Sequence, residues 1–236
     1  MMIDEAIVLA GGLGTRLQTI VKDTPKPMAE VAGKPFLDYI MSYLYKNSIR
    51  KVVLAVGYKY EVIQAYFDNP LNNWGIDIKF SIENEPLGTG GGIYNAFKFI
   101  EGQHAFVING DTYFDVPLQQ MVHQFEKKSA EMVFALKKLQ NAQRYGSVKC
   151  ADDGRILSFS EKVNDDSATI NGGIYIMKKL LTERFPMSGK FSIEEQLFQN
   201  KLSLILAYGE IYPGKFIDIG IPEDFNRAQT FFNIND

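Results

Sequence analysis

The chain has 236 residues, with 25 Lys+Arg against 28 Asp+Glu, a formal net charge of −3 and a pI of about 5.5. That balance excludes a partner held by bulk electrostatics, because nucleic-acid binders carry a strongly basic face and a pI above about 9. No apolar run approaches the ~20 residues that cross a bilayer, and the single cysteine, Cys150, can close no internal disulfide.

The stretch from Met1 to Glu5 carries two acids and no basic run, so no secretory leader is expected and the protein reads as cytoplasmic. Short β-branched runs at 6–10, 52–56, 78–82 and 105–108 read as strands. Segments 36–46, 60–67, 91–100 and 118–127 have helical period. In the first helix Phe36, Leu37, Ile40, Met41 and Leu44 share one face, which should pack on a sheet. Strand and helix alternating at intervals of roughly 30 residues predict βαβ units, an α/β fold with a mixed, mostly parallel Rossmann-like sheet and helices on both faces. Ligands of such sheets bind at the C-terminal strand ends.

After residue 131 the rhythm changes to closely spaced strands at 132–137, 147–149, 156–160 and 174–177. Turn signals lie at Asp152-Asp153-Gly154 and at 164–166. These strands are expected to form a second, smaller layer over the first sheet. A last helix, 222–232, opens on Pro222, a favoured N-terminal residue. No linker or repeat divides the chain, so residues 1–236 read as one domain. Cys150 has only His104 and His123 as potential partners, neither within a metal or nucleophile motif, and reads as a small buried hydrophobe.

The most informative stretch follows the first strand: Gly11-Gly12-Leu13-Gly14-Thr15-Arg16-Leu17, then Thr24-Pro25-Lys26-Pro27-Met28. Glycines at a strand end let backbone N–H groups approach phosphate oxygens that a side chain would block. A dinucleotide G-x-G-x-x-G is excluded because the third glycine position is Leu17, and no Gly-Lys-Ser/Thr of a Walker A loop occurs. What remains is a phosphate loop ending in Arg16 and backed by Lys26, two cations suited to a polyphosphate.

These residues resemble the signature of the sugar-1-phosphate nucleotidyltransferases. The likeness continues through Glu85-Pro86-Leu87-Gly88-Thr89-Gly90-Gly91, Asn109-Gly110-Asp111, Tyr145-Gly146, Glu161-Lys162, Asn171-Gly172-Gly173 and Phe216-Ile217-Asp218-Ile219-Gly220, essentially the whole chain. Within the family it is greatest to the branch that transfers guanylyl from GTP to D-glycero-α-D-manno-heptose 1-phosphate, with mannose 1-phosphate guanylylation the alternative. The resemblance implies attack of a sugar 1-phosphate oxygen on the α-phosphorus of the nucleotide, with release of pyrophosphate and a product used in cell-surface polysaccharide assembly. Such a step needs positioning and charge neutralisation more than a protein nucleophile. It implies residues 1–130 as the nucleotide part and 131–236 as the sugar-phosphate part, and leaves room for a homo-oligomer.

By the same resemblance Arg16 and Lys26 are the catalytic cations, and Leu9, Ala10, Gly11, Gly12, Gly14, Thr15 and Gly110 contact the nucleotide. Pro86, Leu87, Gly88 and Thr89 complete the base pocket. Asp111 and Asp218 hold Mg²⁺, which typically takes one or two carboxylates beside phosphate oxygens and water. Tyr145, Gly146, Glu161, Asn171 and Gly172 meet sugar hydroxyls, and Lys162 the sugar phosphate. For the base, strand alternation in 78–82 buries Ile78, Phe80 and Ile82 and turns Glu83 to the other face. A carboxylate only accepts, and guanine presents adjacent N1–H and N2–H₂ donors, so Glu83 favours GTP; Glu85 is the rival reader. A non-catalytic nucleotide-sugar sensor on the same fold is the reading of another class, and the joint presence of Arg16, Lys26, Asp111 and Asp218 weighs against it.

Overall fold

The computed structural model describes residues 2–12, 14, 16–17, 21, 24–72, 74–140, 142, 145–160 and 167–232. Thr15, Glu161, Lys162 and the turn signal at 164–166 lie outside the described residues. The sheet grows from β1 (Glu5–Leu9), where Ala6 and Val8 face one core and Ile7 the other. Such a strand, buried on both faces, belongs at the centre of a sheet. A small hairpin, β2 (Glu30–Val31) and β3 (Lys34–Pro35), then leads into α1 (Phe36–Lys46), whose bounds match its apolar period. β4 (Lys51–Val56), α2 (Tyr60–Phe67), β5 (Asp77–Ile82), α3 (Gly88–Ala96) and β6 (His104–Asn109) complete the parallel half. β1 lies between β4 and β6, and β5 pairs with β4, all in parallel.

β7 (Thr112–Phe114) and α4 (Leu118–Lys127) follow. Then come β8 (Met132–Gln140), β9 (Ser147–Cys150), β10 (Ile156–Ser160), β11 (Ser167–Lys178), α5 (Leu180–Arg184), a π-helical turn Glu194–Gln199, β12 (Ala207–Ile211), β13 (Phe216–Asp218) and α6 (Pro222–Phe231). The later strands do not form a second layer. β11 pairs antiparallel with β6, from Ile174 opposite Ile108 to Lys178 opposite His104, and β8, β9, β10 and β12 continue one nine-stranded sheet. The reason is burial: 174–177 is covered on both faces, which suits a strand inserted into the sheet rather than laid over it. Helices cover both faces, α1, α2, α4 and α6 on one core and α3, α5 and the π-helical turn on the other.

Three local expectations are corrected. Ile82 is exposed and Ser81 fully buried, because β5 is an edge strand and Asn95 of α3 donates to the Ser81 hydroxyl at 3.0 Å. Helix α3 starts at Gly88, not 91; glycines are poor helix formers, but Gly90 is required where a Cβ would run into the Phe191 ring. Cys150 is exposed at the end of β9, and burial of its thiol group together with the nearby Asp153 raises its pKa, so it is not an activated thiolate.

Candidate active site

The parallel strands end at a cavity of about 440 Å³. β1 delivers Leu9 to it, and the loop beyond supplies Gly11, Gly12 and Gly14. Gly14 has φ +59, and a Cβ there would lie 2.8 Å from Lys26 Cβ, so the loop can fold onto Lys26 only as glycine. Ala10 is buried behind the cavity, its N–H donating to Ala55 O at 2.8 Å. Gly110 lets β6 close on β1, its N–H donating to Leu9 O at 2.9 Å, and its neighbours Asn109 and Asp111 line the cavity. Arg16 is exposed and does not line the cavity.

Lys26 is the hub of the charges. Its Nζ lies 2.5 Å from Asp111 Oδ2, with the Lys26 side chain only 11% exposed. Thr112 Oγ1 donates to the other Asp111 oxygen at 3.1 Å. β13 pairs with β7, Asp218 opposite Thr112, and Ile219 N–H donates to Asp111 O at 3.0 Å, so one short hairpin-like sheet holds both aspartates at the same end. Asp218 Oδ1 accepts the Gly220 N–H at 2.5 Å. A Cβ at Gly220 would lie 2.7 Å from that oxygen and 3.4 Å from Lys26 Nζ, so Gly220 lets the chain pass close to both groups. Among the described residues no group of three or more Asp, Glu, His or Cys gathers as a metal cage. Two aspartates held at one end of the same small sheet are nonetheless the donor set that a hard divalent ion completes with phosphate and water, so these residues fit one.

The residues expected around the base divide. Glu83, Pro86, Gly88 and Thr89 line the cavity, whereas Leu87 faces away from it and Glu85 is exposed and outside it. Glu83 Oε2 accepts the Leu87 N–H at 2.9 Å, and Oε1 lies over Gly11 and Gly92, where a Cβ would come within 3.3 and 2.6 Å. Burial raises the Glu83 carboxyl pKa, and the Leu87 N–H only partly opposes this.

A second cavity of about 590 Å³ opens in the strand-rich half. Tyr145, Gly146 and Asn171 line it, and Asn171 is fixed by accepting the Gly173 N–H at 3.0 Å. Gly172 is buried against the Phe114 ring and serves packing there. Two residues missed by sequence reasoning enter from the first residue of the π-helical turn and the segment before it. Lys190 lines the first cavity and Glu194 lines both. Their only signal in the sequence is Gly189-Lys190, too slight to mark a site.

The chain is similar to known proteins over most of its length. D-glycero-alpha-D-manno-heptose 1-phosphate guanylyltransferase of Campylobacter jejuni is 47% identical over 221 residues, covering 94% of this chain and 96% of that protein. The enzyme of the same name from Aneurinibacillus thermoaerophilus is 44% identical over 95% of this chain and 96% of its own length. The crystal structure of HddC from Yersinia pseudotuberculosis complexed with GMP-PN superposes with a TM-score of 0.83 at 37% identity, covering 98% of this chain and 100% of that one. With residues 5–233 matching the family described as Nucleotidyl transferase, the chain belongs to that family.

Proposed function

We propose that the protein transfers the guanylyl group of GTP to D-glycero-α-D-manno-heptose 1-phosphate, giving GDP-heptose and pyrophosphate. The observation that carries this reading is the convergence of the glycine loop, the Lys26–Asp111 pair and Glu83 on one cavity that shares Glu194 with a second. The two similar guanylyltransferases supply the sugar and the base. The single domain then works as a nucleotide part, residues 1–130, and a sugar-phosphate part, 131–236, with Lys190 and Glu194 reaching from the second part into the first cavity.

A phosphate oxygen of the sugar 1-phosphate attacks the α-phosphorus. The bond from that phosphorus to the bridging oxygen breaks, and its electron pair leaves with pyrophosphate. Lys26 exchanges Asp111 for the α-phosphate and stabilises charge growing there. Arg16 holds the β- and γ-phosphates and, with Lys190, neutralises the leaving group and the incoming phosphate. Leu9, Ala10, Gly11, Gly12, Gly14, Thr15 and Gly110 frame the nucleotide, and Glu83, rather than the exposed Glu85, reads guanine. Tyr145, Gly146, Glu161 and Asn171 shape the sugar site, Gly172 supports it by packing on Phe114, and Lys162 meets its phosphate. Asp111 and Asp218 would hold Mg²⁺, which when bound neutralises phosphate charge. The reaction belongs to the cytoplasm and supplies an activated sugar for cell-surface polysaccharide.

The test is pyrophosphate release across four nucleoside triphosphates and a panel of sugar 1-phosphates. GTP with the heptose 1-phosphate should react, and mannose 1-phosphate, which lacks one hydroxymethylene unit, should be poorer by about 10- to 100-fold in kcat/KM. A preference for UTP or dTTP, or no release with any pair, overturns the reading.

A further inference from the structure

Glu194 lines both cavities, and its surroundings tie the wall of one to the wall of the other. Thr89, in the first turn of α3, donates its hydroxyl to Glu194 Oε2 at 2.7 Å, and Ser192 Oγ donates to the same oxygen at 2.7 Å. Thr89 Oγ1 in turn accepts the Ile193 N–H at 3.0 Å. Two backbone bonds continue the seam, Phe191 N–H to Leu87 O at 2.9 Å and Gly90 N–H to Phe191 O at 3.0 Å. The segment carrying Lys190 into the first cavity and Ser192 and Glu194 into the second is thus stitched to the loop beside the base.

We propose that the Thr89–Glu194 hydrogen bond couples the two substrates: Thr89 is a positioning residue that holds Glu194 so that its remaining oxygen accepts a sugar hydroxyl. This rests on the reading of the two cavities as nucleotide and sugar sites. Glu194 is an exposed side chain, and without such hydrogen bonds immobilising its torsions at the moment of sugar binding would oppose that binding. The clasp removes part of this cost beforehand. Nucleotide packed against Gly88 and Thr89 fixes the hydroxyl, so the sugar 1-phosphate binds more tightly when the first cavity is filled, and the effect is reciprocal.

The test is equilibrium titration of D-glycero-α-D-manno-heptose 1-phosphate, with and without a GTP analogue whose α,β-bridge cannot be cleaved, in wild type, Thr89→Val, Thr89→Ser and Glu194→Gln. In wild type the analogue should tighten sugar 1-phosphate binding about tenfold, the scale of one hydrogen bond to a charged acceptor. Thr89→Val should abolish that gain, Thr89→Ser should keep it, and Thr89→Val combined with Glu194→Gln should be no worse than the more affected single variant. A tenfold gain that persists in Thr89→Val, an equal loss in Thr89→Ser, or additive losses in the double variant would overturn the clasp. Titration needs no turnover, so it is separable from the functional reading. Wild type that binds both ligands with the expected coupling yet releases no pyrophosphate from GTP would sink that reading and leave the clasp standing.

Discussion

As the proposed reader of guanine, Glu83 must serve two demands with a single carboxylate, remaining ionised while half-buried and keeping an oxygen for the base. The Leu87 N–H occupies Oε2 at 2.9 Å. Burial nevertheless holds the carboxyl above its usual range. Only the ionised form accepts from guanine N1–H and N2–H₂ together. GTP recognition should therefore weaken as pH falls through this raised pKa, at a higher pH than an ordinary surface glutamate near 4.3 would show. Glu83→Gln should lower kcat/KM for GTP by about 100-fold, remove this acid limb, and affect ITP, which lacks the N2 amine, much less. The check is kcat/KM for both nucleotides across the acid range; an unchanged acid limb in the variant would remove Glu83 as the reader. Strand alternation in the sequence put Glu83 on the face opposite Ile78 and Phe80, but at this end of β5 that face is the covered one, with Ser81 buried and Ile82 exposed. It could not separate Glu83 from Glu85, because the chain turns between them and Glu85 leaves the cavity.

Among the elements, the strand-rich half is held at one corner by Glu131, 9% exposed at the entry to β8. Its carboxylate accepts from Arg184 at the end of α5, Nη1 at 2.7 Å and Nη2 at 3.1 Å, and from the Leu206 N–H ahead of β12 at 2.8 Å. Burial alone would raise its pKa, but Arg184 and the Leu206 N–H outweigh it and hold it below the usual carboxylate range. A pKa depressed in the folded state contributes stability present above the unfolded value and lost as pH falls toward the folded one. Glu131→Ala should destabilise by about 2 kcal/mol near neutrality, less than a fully buried pair because Arg184 stays partly exposed. Urea unfolding should show the gap between wild type and variant shrinking below about pH 4. A gap independent of pH would mean that packing, not charge, holds the corner. This corner was invisible in the sequence, since it joins residues far apart in the chain, whereas α1, α2 and α4 were legible to the residue because their apolar period is local. The π-helical turn lies between these cases. Phe198, 2% exposed, packs with Phe134 at 4.9 Å and Phe159 at 5.2 Å, so tertiary contact rather than period sets its geometry.

Over the whole molecule, the parallel half and its glycine loop were legible because βαβ units repeat a strong pattern, while the nine-stranded extent of the sheet was not. Pairing partners such as β11 and β6 are fixed by burial on both faces, which short apolar runs do not distinguish from stacked layers. The same long-range packing leads us to expect a fold that stands without a metal. β7 and β13 hold Asp111 and Asp218 through backbone pairing, and Lys26 already balances Asp111. Metal removal should therefore act on ligand binding and not on folding. EDTA alone should leave Tm unchanged. With Mg²⁺, a non-cleavable GTP analogue at 100 times its Kd should stabilise the native state by about 2.7 kcal/mol, a rise in Tm of about 5–10 °C for a chain of this length. The corresponding UTP analogue at equal concentration should give little shift, and EDTA should remove most of the gain with GTP. A fall in Tm on chelation without nucleotide would show that the ion belongs to the fold. The mildly acidic mean charge is no obstacle to a polyanionic ligand, because Lys26 and Lys190 stand at one cavity and their charge is local.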